Sequence, residues 1–201
     1  VDKNGKVKAL QNGTATIKAT AKDGSGVSAS CKITVGYKIT YKLGKGKNND
    51  QNPEYYYNQK INLKAASKKG YAFKGWYTDS KYTKKITTIA KNSKKNITVY
   101  AKWENAKLTK KASIASVKKY TSTGLKIKIK TRVAKAEGYV LCVSTNKNFS
   151  NSRKIYFKGL TGKISNLKKK RVYYVRVCAY RKDSMGNKIY GPYSNLKKIK
   201  L

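Results

Sequence analysis

Chemistry has few places to reside in this chain. Among 201 residues there is no histidine, eight carboxylates and three cysteines, Cys31, Cys142 and Cys178. Without histidine there is no Ser-His-Asp or Cys-His relay and no imidazole-held metal. Three thiols cannot close a four-thiolate zinc site, and scattered carboxylates supply neither an acid–base pair nor a calcium cage. No glycine-rich phosphate loop is present, so the sequence implies no catalytic residues, no metal and no cofactor. What remains is positive charge and aromatic surface: 48 Lys and Arg, a net charge of +40, and 17 tyrosines. In "YYVRVCAY" (173–180), alternation sets Tyr173, Val175, Val177 and Ala179 on one face and Tyr174, Arg176, Cys178 and Tyr180 on the other. Tyrosine beside arginine suits sugar rings or acidic groups, which makes Tyr174, Arg176 and Tyr180 a candidate ligand face. The alternative is a solvated strand face of snorkelling side chains.

The elements that must carry these residues read as strands. "GTATIKATA" (13–21), "ASCKITV" (29–35), "YKITYKL" (37–43), "NITVYAKW" (96–103), "LKIKIKTRV" (125–133) and "GYVLCVST" (138–145) alternate with period 2. They are rich in Val, Ile, Thr and Tyr and bounded by Gly, Asn, Asp and Ser. No stretch has a helical apolar period, so the fold class is all-β, with short strands and one lysine-solvated face. No run of about 18 apolar residues offers a membrane-spanning helix. The chain opens with neither a methionine nor a signal peptide and reads as an interior or C-terminal piece of something larger.

Charge divides the chain unevenly. Joints near residues 36 and 106 separate segments 1–36, 37–105 and 106–201, of net charge +4, +12 and +24. Only Arg132, Arg153, Arg171, Arg176 and Arg181 are arginines; the other 43 bases are lysines. Lysine is a hydrated point charge without arginine's planar fork, so this surface suits diffuse, salt-sensitive attraction rather than base reading.

One aromatic stretch invites a nucleic-acid reading. "KGYAFKGW" (69–76) resembles the motif with which RNA-recognition domains read bases. That motif wants an apolar sixth position, where Lys74 stands, and an amphipathic helix upstream. The run "GKGKNNDQNPEYYYNQKINLKAAS" is instead rich in Gly, Asn, Asp and Pro. The whole segment 37–105, with "YKITYKLGKG", "KKGYAFKGWYTDSKYTKKIT" and "NITVYAKWE", resembles a Listeria–Bacteroides repeat of bacterial surface proteins, which implies a small β-grasp-like domain. Tyr71, Phe73, Gly75, Trp76, Tyr77, Tyr100 and Trp103 carry the likeness. A domain this small is short of apolar area, so Trp76 and Trp103 are expected in its core, with a sugar-stacking platform as the alternative. Of the adjacent Tyr55, Tyr56 and Tyr57, at least one must face solvent.

The flanking segments carry further resemblances. "VDKNGKVKALQNGTATIKATAKDGSGVSASCKITV" (1–36) resembles the C-terminal half of a bacterial immunoglobulin-like group 2 domain. Val7, Ala9, Ala15, Ile17 and Ala19 alternate toward a core, and the missing half leaves apolar surface exposed unless another module covers it. Cys31 alternates inward with Ala29 and Ile33 and is expected as a buried thiol. Segment 106–201 resembles a fibronectin type III domain of clostridial secreted proteins, through "GYVLCVSTNKNF", "NLKKKRVYYVRVCAYR" and "YGPYSN". Leu167 and Tyr173 match that fold's corner, while Ile129 stands where the family places a tryptophan. In that fold the two cysteine-bearing strands are antiparallel neighbours, so Cys142 and Cys178 share an outer face. Either a cross-strand disulfide or two reduced thiols at non-facing rungs follows.

These resemblances imply a non-catalytic array of extracellular modules, secreted or wall-associated, joined to upstream domains of the same protein. Its lysines would hold it to anionic wall polymers or acidic glycans, for adhesion or as a spacer. Alternatives are the accessory C-terminal region of an extracellular protease or glycoside hydrolase, and charge-driven nucleic-acid binding; no specific nucleic acid is expected.

Overall fold

The computed structural model describes all 201 residues, and its secondary structure consists of strands with no helix. Two compact units form: Val1–Ser67 with Phe73–Trp103, and Lys68–Ala72 with Glu104–Leu201.

The first unit begins with a hairpin of β1 (Gly13–Thr20) and β2 (Ser28–Val35). Asp23 shapes its turn by accepting hydrogen bonds from the Ser25 amide (3.0 Å) and hydroxyl (2.6 Å). Ile17 stands opposite Cys31 and Ala15 opposite Ile33, in the alternation the sequence implies. No second sheet of the hairpin's own covers it: β1 and β2 form a two-stranded sheet, and Val7, Leu10 and Val27 are exposed. Cys31 is therefore exposed rather than buried, because alternation assigns a face but does not supply its cover.

Seven strands follow: β3 (Tyr37–Lys42), β4 (Tyr55–Tyr56), β5 (Ile61–Asn62), β6 (Tyr71–Tyr77), β7 (Lys85–Ile86), β8 (Thr88–Ile89) and β9 (Ile97–Asn105). Their main sheet runs β4-β3-β9-β6-β7, with β3 and β9 parallel, and β5 pairs with β8. Ile39, Tyr56, Ile61, Trp76, Ile89 and Val99 form the buried core, and Phe73 and Trp103 pack against it. Tyr56 is buried and Tyr55 exposed, as three adjacent strand tyrosines require.

Phe73 and Trp76 are three residues apart, a spacing that sends side chains to opposite faces of a regular strand. Gly75 breaks the alternation with a φ of 125°, and both rings reach the core, their centroids 5.4 Å apart. Trp76 donates its indole N–H to the Lys64 carbonyl (2.8 Å), and Trp103 donates to that of Leu43 (2.8 Å). Phe73 and Trp76 of "KGYAFKGW" are thus packing residues.

The second unit is a two-sheet sandwich. Its strands are β10 (Ile114–Thr121), β11 (Gly124–Ile129), β12 (Gly138–Ser144), β13 (Arg153–Phe157), β14 (Thr161–Ile164), β15 (Val172–Lys182), β16 (Lys188–Tyr190) and β17 (Lys197–Lys200). One sheet is β10-β11-β14; the other runs β13-β12-β15-β16, with β17 also on β15. Between them lie Leu125, Ile127, Ile129, Tyr139, Leu141, Val143, Val175 and Val177. Ile129 is fully buried where a larger ring is expected from the resemblance. Tyr173 ties the corner: its hydroxyl accepts from the Lys168 amide (2.8 Å) and donates to the Lys168 carbonyl (3.1 Å).

Candidate ligand-binding face

β15 delivers the alternation the sequence implies, with Tyr173, Val175, Val177 and Ala179 in the main core. Tyr174, Arg176, Cys178 and Tyr180 point to the opposite face, opposite Ser144, Cys142, Val140 and Gly138 of β12. That face is not solvated. Val140, Cys142, Phe149 and Cys178 form a second buried cluster, with Tyr174 packed against it. The Arg176 guanidinium lies between two rings, 4.0 Å from the Phe149 centroid and 3.9 Å from that of Tyr193. This double cation–π contact holds the charge on a desolvated surface, although Arg176 Nε has no hydrogen-bond partner. Tyr180 is buried, its ring edge-on to Tyr156. Tyr174, Arg176 and Tyr180 thus form the floor of this face rather than its contact surface. The covering rings come from the 145–152 loop and the segment after β16, which alternation within β15 cannot reveal.

The exposed aromatics here are Tyr156, Tyr190 and Tyr193. Tyr156 and Tyr190 share a hydrogen bond between hydroxyls (2.9 Å), and the Lys188 ammonium lies 4.6 Å from the Tyr156 centroid. The bond from Tyr156, then burial, pushes Tyr190 up to about 12. Outward alternation of Tyr156 between Ile155 and Phe157 is the signal that could have found it. Gly138 makes room below, since a Cβ there would stand 2.8 Å from the Tyr180 hydroxyl.

Cys142 and Cys178 share this face as expected, but both are free and buried. Register places Cys142 opposite Arg176 and Cys178 opposite Val140, so the thiols are diagonal neighbours. Diagonal strand positions lie about 7–8 Å apart, at the limit for a disulfide, and the two thiols are not bonded. Burial, reinforced by Cys142, pushes the Cys178 thiol up to about 11, which removes it as a nucleophile at neutral pH. Cys142 donates to the Tyr193 hydroxyl across 3.8 Å.

Every carboxylate of the second unit is engaged. Glu104 pairs with Lys135 and, at 2.6 Å, with Arg181, and these two hold it down to about 2. Asp183 is buried, which opposes its ionisation. Hydrogen bonds from the Gly70, Asn187 and Met185 amides outweigh that burial and hold its carboxyl below the usual range. Glu137 accepts from the Lys182 amide (3.0 Å).

Two open clefts of the first unit lie beside its β3–β9 segment. One of about 400 Å³ is lined by Ile86, Ile89, Ser93, Lys95 and Ile97. The other, about 550 Å³, is lined by Tyr37, Tyr57, Asn58, Asn92 and Lys94. Neither lining includes a carboxylate or thiol, and no three acidic or thiol side chains gather as a metal site anywhere in the chain.

With this geometry in place, comparison with known proteins finds a likeness in the middle of the chain. Residues 37–102 match the Listeria-Bacteroides repeat domain family. The glycine–aromatic run of β6 and the paired residues of the parallel β3–β9 ladder lie inside the matched stretch. Comparison with curated proteins gives no match. Among solved structures, the fn3 domain of human contactin 1 is similar at 14% identity and a TM-score of 0.39, over 45% of this chain and 76% of that one. The FN1-FN3 domains of chicken CNTN1 are similar at 14% identity and a TM-score of 0.41, over 92% of this chain and 76% of theirs. At such scores no property passes from those proteins to this one. The repeat and the sandwich fit a non-catalytic module.

Proposed function

We propose that this chain is a non-catalytic, three-module stretch (1–36, 37–105 and 106–201) of an extracellular bacterial protein, and that it associates with anionic wall polymers or acidic glycans through its basic surface. One observation carries the reading. Residues 106–201 hold a net charge of +24, and the carboxylates of the second unit are turned to internal work, leaving its lysines to an external anion. The match to a surface-protein repeat supports an extracellular setting. Tyr174, Arg176 and Tyr180 act in it by supporting the exposed Tyr156, Tyr190 and Tyr193.

Retention on immobilised teichoic acid, sulfated glycan and RNA, followed against salt, tests the reading. Binding to the first two that collapses well before about 0.5 M salt is expected. RNA binding that survives there would replace it with nucleic-acid recognition.

A further inference from the structure

The second unit presents one sheet face with an ordered array of cations. Register aligns Lys118 of β10 with Lys126 of β11, and Lys126 with Lys163 of β14, as one row across three strands. Strands lie about 4.8 Å apart, so three ammonium stems leave the sheet as near neighbours. Lys128 of β11 and Lys130, just past its end, continue the same face, about 7 Å per step. All five are exposed, while Leu125, Ile127 and Ile129 between them are fully buried, so the lysines share the outer side. Like charges directly opposite destabilise a sheet. The three carboxylates of the unit, Glu104, Glu137 and Asp183, are engaged elsewhere.

An aromatic stands at the end of the row. Tyr120 lies over Gly124, where a Cβ would come within 2.6 Å of its ring, and the Lys163 ammonium is 5.5 Å from its centroid. The glycine lets the ring lie on the sheet with one side to solvent; Tyr120 is 39% exposed.

We infer that the outer face of β10-β11-β14 is the docking surface for a linear acidic polysaccharide, its acidic groups on Lys118, Lys126 and Lys163 and a sugar ring on Tyr120. This rests on the basic-surface reading above and narrows it to one face and one polymer class. A ring platform beside a cation row suits a sugar polymer that carries charge; a bare polyphosphate would use only the row.

The test uses the whole chain and four probes: dextran sulfate, neutral dextran, polyphosphate and oligo-dT. The triple variant K118Q/K126Q/K163Q is compared with K147Q/K154Q/K169Q, which removes the same charge from exposed positions elsewhere in the unit. For dextran sulfate, the sheet triple is expected to flatten the slope of log K against log salt by about 2, and the control by much less. Tyr120→Ala is expected to weaken dextran sulfate about fivefold and leave polyphosphate unchanged. Urea unfolding checks the fold, and the sheet triple should be at least as stable as the parent because it relieves like-charge pairs.

Equal losses from both triples would overturn the docking face while leaving basic-surface association standing. An unchanged dextran sulfate affinity in Tyr120→Ala, or tighter binding to oligo-dT than to dextran sulfate of matched charge, would overturn the polysaccharide. Neutral dextran binding as tightly as dextran sulfate would overturn the role of the lysine row. Failure of the parent to bind any polyanion at low salt would remove the reading on which this one rests.

Discussion

Gly75 shows how much one backbone angle decides. Its φ of 125° brings Phe73 and Trp76 to one side of β6, and Trp76 fills the centre of the first unit. A side chain there would adopt a conformation that L residues avoid, and its Cβ would stand 2.6 Å from Lys85 Cε. The lysine tail can move; the angle cannot. Gly75→Ala should therefore destabilise the first unit by about 1–3 kcal/mol in urea unfolding. Lys85→Ala should change stability by less than about 0.5 kcal/mol, and combining the two should not rescue the loss. Rescue would show that the contact, rather than the angle, sets the penalty.

At the scale of the element, strands were the most legible feature of the sequence. In β11, lysines alternate with Leu125, Ile127 and Ile129 because one face meets water and the other the core. In β12 and β15 the same alternation separates the faces correctly but misstates their surroundings. Phe149 and Tyr193 cover the second face, and both come from irregular segments that carry no periodic signal. The lysine row was hidden for a related reason. Each strand shows its own outward lysines, but only the pairing of β14 with β11 reveals that they align. The tyrosine ties are legible in part: Tyr173 stands at the corner the resemblance implies, while no signal in the sequence announces the bond that the Tyr139 hydroxyl accepts from the Val133 amide (2.9 Å). Tyr173→Phe keeps the buried ring and loses both bonds to Lys168, so it should cost about 1–2 kcal/mol in urea unfolding. A midpoint equal to that of the parent would show that the corner is held by packing alone.

At the scale of the whole molecule, acid should act through very few groups. Glu104 has a folded value of about 2 against an ordinary 4.5. A carboxyl held down in this way stabilises the fold fully above its unfolded value and loses that contribution as pH falls through its folded value. The urea midpoint of the second unit should therefore decline between about pH 4.5 and pH 2. Glu104→Gln should begin lower at neutral pH and show a smaller acid decline, the remainder belonging to Asp183, whose carboxyl is also held down. An unchanged acid decline in this variant would dissociate Glu104 from the effect. The net charge of +40 at pH 7 opposes compactness, and loss of these carboxylates in acid adds to that repulsion.

The unequal burial of the three thiols also equips the molecule for selective attachment chemistry. Cys31 is exposed on the β1–β2 hairpin, while Cys142 and Cys178 are sealed beneath Phe149 and Tyr193. A maleimide dye or spin probe offered to the folded protein near neutral pH therefore has one site to enter, in the first unit and outside both large cores. The two sealed thiols become a stoichiometric counter for opening of the sandwich, since each label beyond the first reports a molecule whose second face has come apart.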